Sequence, residues 1–170
     1  MSPNQSSRHG VTPHLIVLHR PVGAYLPSIK WLCNPASQAS AHVITEGAKA
    51  ATQLVPWDRK AWACVAFNAA SYNLEVDDDA WNGKDSHALE VAARITAFLC
   101  KRTGIPARWT RDPHSTPGVT RHLDLGRAGG GHTDPTESIA VWQTFMRLVQ
   151  RECARGRFRP VWGVGALAPV

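Results

Sequence analysis

Apolar positions along the chain follow two spacings. Leu15, Ile16, Val17 and Leu18 form an unbroken run that closes on His19, as expected for a strand buried on both faces. Residues 41–45 and 51–55 are strand-like and are separated by Glu46-Gly47, which predicts a hairpin. A further strand is predicted over residues 71–76, emptying into the acidic turn Asp77-Asp78-Asp79. The spacing then lengthens. Leu89, Ala92, Ile95 and Leu99 recur at helical intervals and predict a helix over residues 86–102, stopped by Gly104-Ile105-Pro106. Ile139, Trp142, Phe145, Met146 and Val149 mark one face of a last helix over residues 136–153. A short helix is expected over residues 25–34, because the residue before Pro35 disfavours helical backbone. Strands alternating with helices predict an α/β fold, with a central mixed β-sheet of about five or six strands flanked by helices. There is no internal repeat.

Composition narrows this picture. With 170 residues, 44% hydrophobic content and seven tryptophans, the chain can bury a substantial core as one domain. Residues 12–155 are expected to form that domain, residues 1–11 a flexible leading segment, and residues 156–170 a tail or linker. Met1 to Gly10 is polar and lacks the apolar stretch of a signal peptide. No run approaches the roughly 20 apolar residues that cross a bilayer. The expectation is a monomer made in the cytoplasm, without a membrane partner. A net charge of +6 and a pI near 9.6 favour an anionic partner. Nucleic acid would dock on the run from Arg151 through Arg155 and Arg157 to Arg159, but the basic residues are spread out and no nucleic-acid motif accompanies them, so that partner is not expected. Cys33, Cys64, Cys100 and Cys153 lack Cys-x-x-Cys spacing, and the last two fall on the apolar faces of predicted helices, which reads as reduced core thiols.

The densest chemistry lies between Gly118 and Thr136, where His122, His132 and Asp134 surround a glycine-rich turn. Neutral imidazole nitrogens and a carboxylate oxygen on adaptable backbone suit zinc. His19, carried to a sheet edge by the strand it ends, adds another donor. Three protein ligands with an open fourth position make a catalytic zinc arrangement; a structural site is closed by a fourth. Asp134-Pro135-Thr136-Glu137 also reads as a helix start, with Asp as cap, Pro in the first turn and Glu three residues after the cap. Asp124, two residues from His122, is expected to support the loop or hold an imidazole instead of ligating.

These residues resemble the zinc-dependent N-acetylmuramoyl-L-alanine amidases, whose fold is shared with peptidoglycan recognition proteins. In that family a strand ends in a ligand His, as Ile16-Val-Leu-His19 does; the second ligand opens an H-x-D-like stretch, as in His122-Leu-Asp124; and the third lies just before Pro, as in Asp134-Pro135. The stretch GVTRHLDLG…GGGHTDPT looks most like the amidase module of mycobacteriophage endolysins, and the likeness spans roughly residues 12 to 153. It implies a Zn2+ enzyme, with His19, His122 and Asp134 as ligands, that cuts the amide between N-acetylmuramic acid and L-alanine in bacterial peptidoglycan and acts on the cell wall after release from the host cytoplasm. A non-catalytic peptidoglycan-binding module of the same fold is the alternative; such modules lack a ligand, and all three ligand types are present here.

The resemblance also implies roles for other positions. Ser71-Tyr-Asn-Leu-Glu75 is similar to an S-I-G-I-E-like strand, making Glu75 the carboxylate that takes a proton from the attacking water. Family members often place Lys or Thr two residues before the third ligand to stabilise an oxyanion, and His132 stands there in this chain. That departure leaves His132 open to being a ligand, with Asp134 as helix cap. A family tyrosine is replaced in Ala41-His42, so His42 is expected to line the cleft or brace the sheet near zinc. Trp62 and Asn68 are further substrate-groove candidates, one to stack on ligand and one to fix its orientation.

Overall fold

A computed structural model describes residues 1–155. The strands are β1 (Gln5–Ser7), β2 (Leu15–His19), β3 (Val43–Glu46), β4 (Ala50–Gln53), β5 (Arg59–Ala61), β6 (Ser71–Glu75) and β7 (Gly118–Arg121). The helices are α1 (Tyr25–Leu32), α2 (Asp78–Trp81), α3 (Ser86–Thr103) and α4 (Ile139–Ala154). The main sheet has five strands in the order β4-β3-β6-β2-β7, with β3 and β4 antiparallel and the other neighbours parallel. β2 therefore has a strand on each side, and all five of its residues are buried. That position requires the unbroken apolar run, because side chains pointing either way enter a core.

One core lies between the sheet and the α3/α4 pair. Ile16, Leu18 and Leu74 from the sheet meet Ile95 and Leu99 of α3 and Trp142, Phe145 and Val149 of α4. The opposite face carries Leu15, Val17, Cys64, Phe67 and Leu125, and α1 covers Ile44 and Leu54 through Leu32. Helix α3 starts where the Asp85 carboxylate accepts from the backbone N–H groups of His87 and Ala88, and it ends on Gly104 with φ +76°, a conformation that glycine adopts without cost. All four cysteines are free thiols.

The structure changes several expectations. Helix α4 begins at Ile139 under a Ser138 cap, whose hydroxyl accepts from the Val141 N–H, so Asp134 caps nothing. The leading segment, expected to be flexible, is packed into the fold: β1 pairs with β5, and Ser2, Asn4 and Arg8 are buried. The Arg8 guanidinium donates to the carbonyls of Ala69 (2.6 Å) and Ser71 (3.1 Å). β7, which the sequence pattern does not predict, is a strand of four residues set against β2. The expected tail at residues 156–170, with the end of the basic run, lies outside the described residues. Among the described residues, no helix is long and apolar enough to cross a membrane.

Candidate functional site

The site is built at the C-terminal ends of the parallel strands. In register, His19 at the end of β2 faces Glu75 at the end of β6, and His122 follows directly on β7. The backbone around His122 is fixed from below. The Arg121 guanidinium binds both Asp124 oxygens (2.7 and 3.0 Å) and the Thr136 carbonyl (3.1 Å), and the Trp109 indole N–H donates to Asp124 Oδ2 (2.8 Å). Asp124 thus supports the loop and holds no imidazole.

His19, His122 and Asp134 converge, with one ligand atom from each lying within 4.8 Å of the others. His122 Nδ1 is 3.1 Å from Asp134 Oδ1, and His19 Nδ1 is 3.6 Å from Oδ2. The carboxylate is further fixed by the Arg20 backbone N–H, which donates to Oδ2 at 3.2 Å. The two Nδ1 atoms lie 3.0 Å apart. Each ring meets an oxygen that can only accept: His19 Nε2 lies 3.0 Å from Asn73 Oδ1, and His122 Nε2 lies 2.8 Å from the Gly129 carbonyl. Both Nε2 atoms must therefore carry the proton, so in the neutral rings both Nδ1 atoms present bare lone pairs to each other and to a carboxylate. Such an arrangement is repulsive until a cation stands between them. Two imidazole nitrogens and one carboxylate oxygen are a donor set that fits Zn2+.

Gly129 is required for this geometry. A Cβ there would lie 2.4 Å from the Leu125 Cβ, so any other residue would displace the carbonyl that orients His122.

Electrostatics agree with the geometry. Burial works against a charged His19, but the Asp134 carboxylate facing its Nδ1 and the nearby Glu75 charge outweigh burial and raise its pKa. Burial also works against ionised Asp134, and the two imidazoles overcome it, holding its carboxyl well below the usual range. Glu75 behaves oppositely: burial pushes its pKa up to about 7, with His19 pulling it down and Asp134 adding to the rise. Its Oε2 is enclosed and has no hydrogen-bond partner.

These groups open onto a cleft of about 730 Å³ lined by His19, Glu75, His122, His132 and Asp134 at one end and by Trp31, Ser40 and Trp62 along the wall. His132 is stacked on His122 (ring centroids 4.4 Å apart, 17° between planes), exposed, and 3.8 Å from Asp134 Oδ1 through Nδ1. It stands beside the three-residue cluster instead of within it. Trp62 lines the cleft and donates its indole N–H to Ser6 Oγ at 3.0 Å. Asn68 does not reach the cleft; its Oδ1 accepts from the Ala63 and Cys64 N–H groups and closes a turn. His42 is fully buried and braces the sheet. Its Nδ1 accepts from the Asn73 N–H at 3.0 Å, its Nε2 lies against Arg8 and the Arg59 carbonyl, and its ring stacks on Trp57. Asn73 and the leading segment were missed from sequence. The signal for Asn73 was an amide two residues before Glu75 on the same strand, where the side chain shares a face with Glu75.

The leading segment shapes the cleft wall through residues distant in sequence. Ser2 Oγ donates to the Leu32 carbonyl, Asn4 Nδ2 to the Ala39 carbonyl (2.9 Å), and Ser40 Oγ to the Asn4 carbonyl (2.6 Å). Leu32, Ala39 and Ser40 all line the cleft.

A family model described as N-acetylmuramoyl-L-alanine amidase matches residues 9–137. N-acetylmuramoyl-L-alanine amidase A of Achromobacter lyticus is 30% identical over 145 residues, covering 79% of this chain and 81% of that protein. Among solved structures, the Staphylococcus aureus hydrolase AmiA in complex with its ligand matches with a TM-score of 0.73 at 18% identity, over 89% of this chain and 78% of that one. A mutant endolysin from Bacillus subtilis matches with a TM-score of 0.63 at 17% identity, over 87% and 92% respectively. The two structures share the mixed five-stranded sheet and its flanking helices with this protein; the sequence matches carry the kinship further, and the chain belongs to the N-acetylmuramoyl-L-alanine amidase family.

Proposed function

We propose that this protein is a zinc-dependent peptidoglycan hydrolase that cleaves the amide joining the lactyl group of N-acetylmuramic acid to L-alanine of the stem peptide. The observation that carries this reading is the pair of bare Nδ1 atoms on His19 and His122 facing the Asp134 carboxylate beside Glu75. Zinc held by these three residues would supply Lewis acidity, lowering the pKa of water and polarising the scissile carbonyl.

The chain's own groups perform the remaining tasks. Glu75, already biased toward accepting a proton near neutrality by its burial, takes one from the attacking water and returns it to the departing alanine nitrogen. The C–N bond breaks, giving a lactyl carboxylate and a free stem-peptide amine. His132, exposed at the rim and stacked on His122, donates a hydrogen bond to the oxyanion that forms as water adds to the carbonyl. Trp62 and Trp31 offer flat apolar faces along the wall for sugar and peptide. The mycobacteriophage-like GVTRHLDLG…GGGHTDPT stretch supports a lytic module of a phage lysin acting on the bacterial wall, with the folded domain spanning residues 12–155 and extended by the leading strap.

Purified bacterial cell wall incubated with zinc-loaded protein should release stem peptides bearing a new N-terminal alanine, with one zinc per chain measured on the same sample. New sugar reducing ends without free alanine amines would make the enzyme a glycosidase. Wall binding with stoichiometric zinc and no release would make it a binding module.

A further inference from the structure

The bare Nδ1 of His19 depends on which way the Asn73 amide points, since its oxygen and nitrogen are alike in size and only their partners distinguish them. Asn73 is fully buried on β6, and three groups surround its side chain. Nδ2 lies 3.0 Å from Ser71 Oγ, Oδ1 lies 3.0 Å from His19 Nε2, and the Cys64 thiol donates to Oδ1 at 3.2 Å while lying 3.3 Å from Ser71 Oγ. The direction of this network is set at its far end. Ser71 Oγ is 2.8 Å from the Phe67 carbonyl, which can only accept. The serine proton is thereby committed, so Ser71 Oγ must accept from Asn73. Asn73 must then turn its NH2 group toward Ser71 and its oxygen toward His19, and His19 must carry its proton on Nε2. In this arrangement the serine hydroxyl, the thiol, the His19 ring N–H and the amide N–H facing Ser71 each meet an acceptor, and turning the amide over would set its oxygen against a serine oxygen whose proton is already given to Phe67.

We propose that Asn73, oriented through Ser71 by the Phe67 carbonyl, is a positioning residue that fixes the tautomer of His19 and so presents Nδ1 as a metal-ligating lone pair. His122 receives the same instruction directly from a backbone carbonyl, that of Gly129. His19 ends a strand whose own carbonyl is used by the Val76 N–H, and the side-chain relay supplies the acceptor its ring requires. Outer partners of this kind change metal affinity by roughly 10- to 100-fold when removed. The inference rests on the zinc reading above for its consequence, but its central claim concerns the metal-free protein.

The test has two readouts. First, 15N NMR of the imidazoles in chelator-treated protein should show His19 as the Nε2-protonated tautomer. Second, zinc affinity by competition with a chromophoric chelator should fall roughly 10- to 100-fold in Asn73→Leu, which is similar in volume and offers no acceptor, while Asn73→Asp, which keeps an acceptor beside Nε2, stays within a few-fold of the parent. Ser71→Ala removes the orienting acceptor and should give an intermediate loss with a mixed tautomer signal. A metal-free parent with His19 protonated on Nδ1 overturns the proposal even if Asn73→Leu fails to fold. Equal losses in Asn73→Leu and Asn73→Asp would reduce Asn73 to a packing residue. An Nε2-protonated His19 in a protein that takes up no zinc would uphold the tautomer assignment and dismiss the zinc reading.

Discussion

His19 and His42 are both buried histidines in the main sheet region, and Asn73 touches both, with its side chain on one and its backbone N–H on the other. Their fates differ because their free valences differ. Both nitrogens of His42 are occupied, by the Asn73 N–H on one side and by Arg8 and the Arg59 carbonyl on the other. Burial and the Arg8 charge lower its pKa to about 3, so it is a neutral brace. His19 has one nitrogen satisfied by Asn73 and the other aimed at His122 and Asp134 in the cleft, where carboxylates draw its pKa upward. These two buried histidines differ in whether the second nitrogen is committed to a hydrogen bond, as in His42, or left as a lone pair among other acceptors at the cleft, as in His19. Burial alone does not decide.

The largest expected effect breaks the chemical member. His19→Ala or Asp134→Ala should lose stoichiometric zinc, and turnover on cell wall should drop roughly a thousandfold or more, since several kcal/mol of charge stabilisation leaves with the metal. Metal content by atomic spectroscopy on the folded variants checks this; full zinc in Asp134→Ala would move the third ligand to His132. Next comes the neighbour in register with His19: Glu75→Gln keeps shape and zinc while turnover falls on the order of a thousandfold. Near-normal turnover with zinc bound would reassign the proton carrier. His132→Ala should also keep zinc and lose on the order of a hundredfold in turnover, the scale of one oxyanion donor. Loss of zinc in this variant would make His132 a ligand.

The structural member responds in different currency. His42→Ala should cost roughly 3 kcal/mol of unfolding free energy in a urea titration, from lost packing and an unpaired Asn73 N–H, while the folded fraction keeps its zinc. Acid sharpens the contrast. The His42 ring binds a proton at its ordinary value of 6.5 when unfolded and only at about 3 when folded. The unfolded state therefore holds more protons between those values, and stability falls as pH drops through that window, by at most about 1.4 kcal/mol per pH unit. In metal-free protein Glu75 acts in the other direction: its folded pKa of about 7 stands above its ordinary 4.5, so its contribution is present below 4.5 and is lost as pH rises toward 7. Urea midpoints across pH 3 to 8 for the chelated parent and His42→Ala should show the acid-side slope flattened in the variant alone.

The division between what sequence foretold and what it concealed follows the range of the forces involved. The α3 and α4 stripes and the β2 run were legible because burial on one or both faces imposes a period on local sequence. The convergence of His19, His122 and Asp134 was legible because metal-ligating chemistry restricts residue type, and the flanking motif restricts position. β1, β5 and β7 were not legible: three or four residues carry too little alternation, and their pairing is decided by partners far along the chain. Asp134 offered two readings, cap or ligand; its carboxylate is taken up by His122, His19 and Arg20, and Ser138 supplies the cap. Asn68 was misplaced into the groove because an amide near aromatics looks the same whether it faces ligand or closes a turn. The position of Asn73, two residues before Glu75, carried a signal, but its role did not, because that depends on the hydrogen-bond direction set by Ser71 and Phe67.

The strand order also dictates when the site comes into being. His19 and His122 are 103 residues apart in the chain, and they meet only when β7 pairs with the free edge of β2, Leu15 opposite Gly118. Closing so long a loop costs more entropy than closing the shorter connection that brings β6 to β2, so docking of β7 is favoured to come late in folding. Until it docks, β2 presents an unpaired apolar edge, the kind of surface on which chains aggregate. On the zinc reading proposed above, the metal would bind the finished site and not the unfinished one, and would draw folding molecules past this exposed stage by mass action. A metal held there would thus be a latch on the last strand as well as a seat for chemistry.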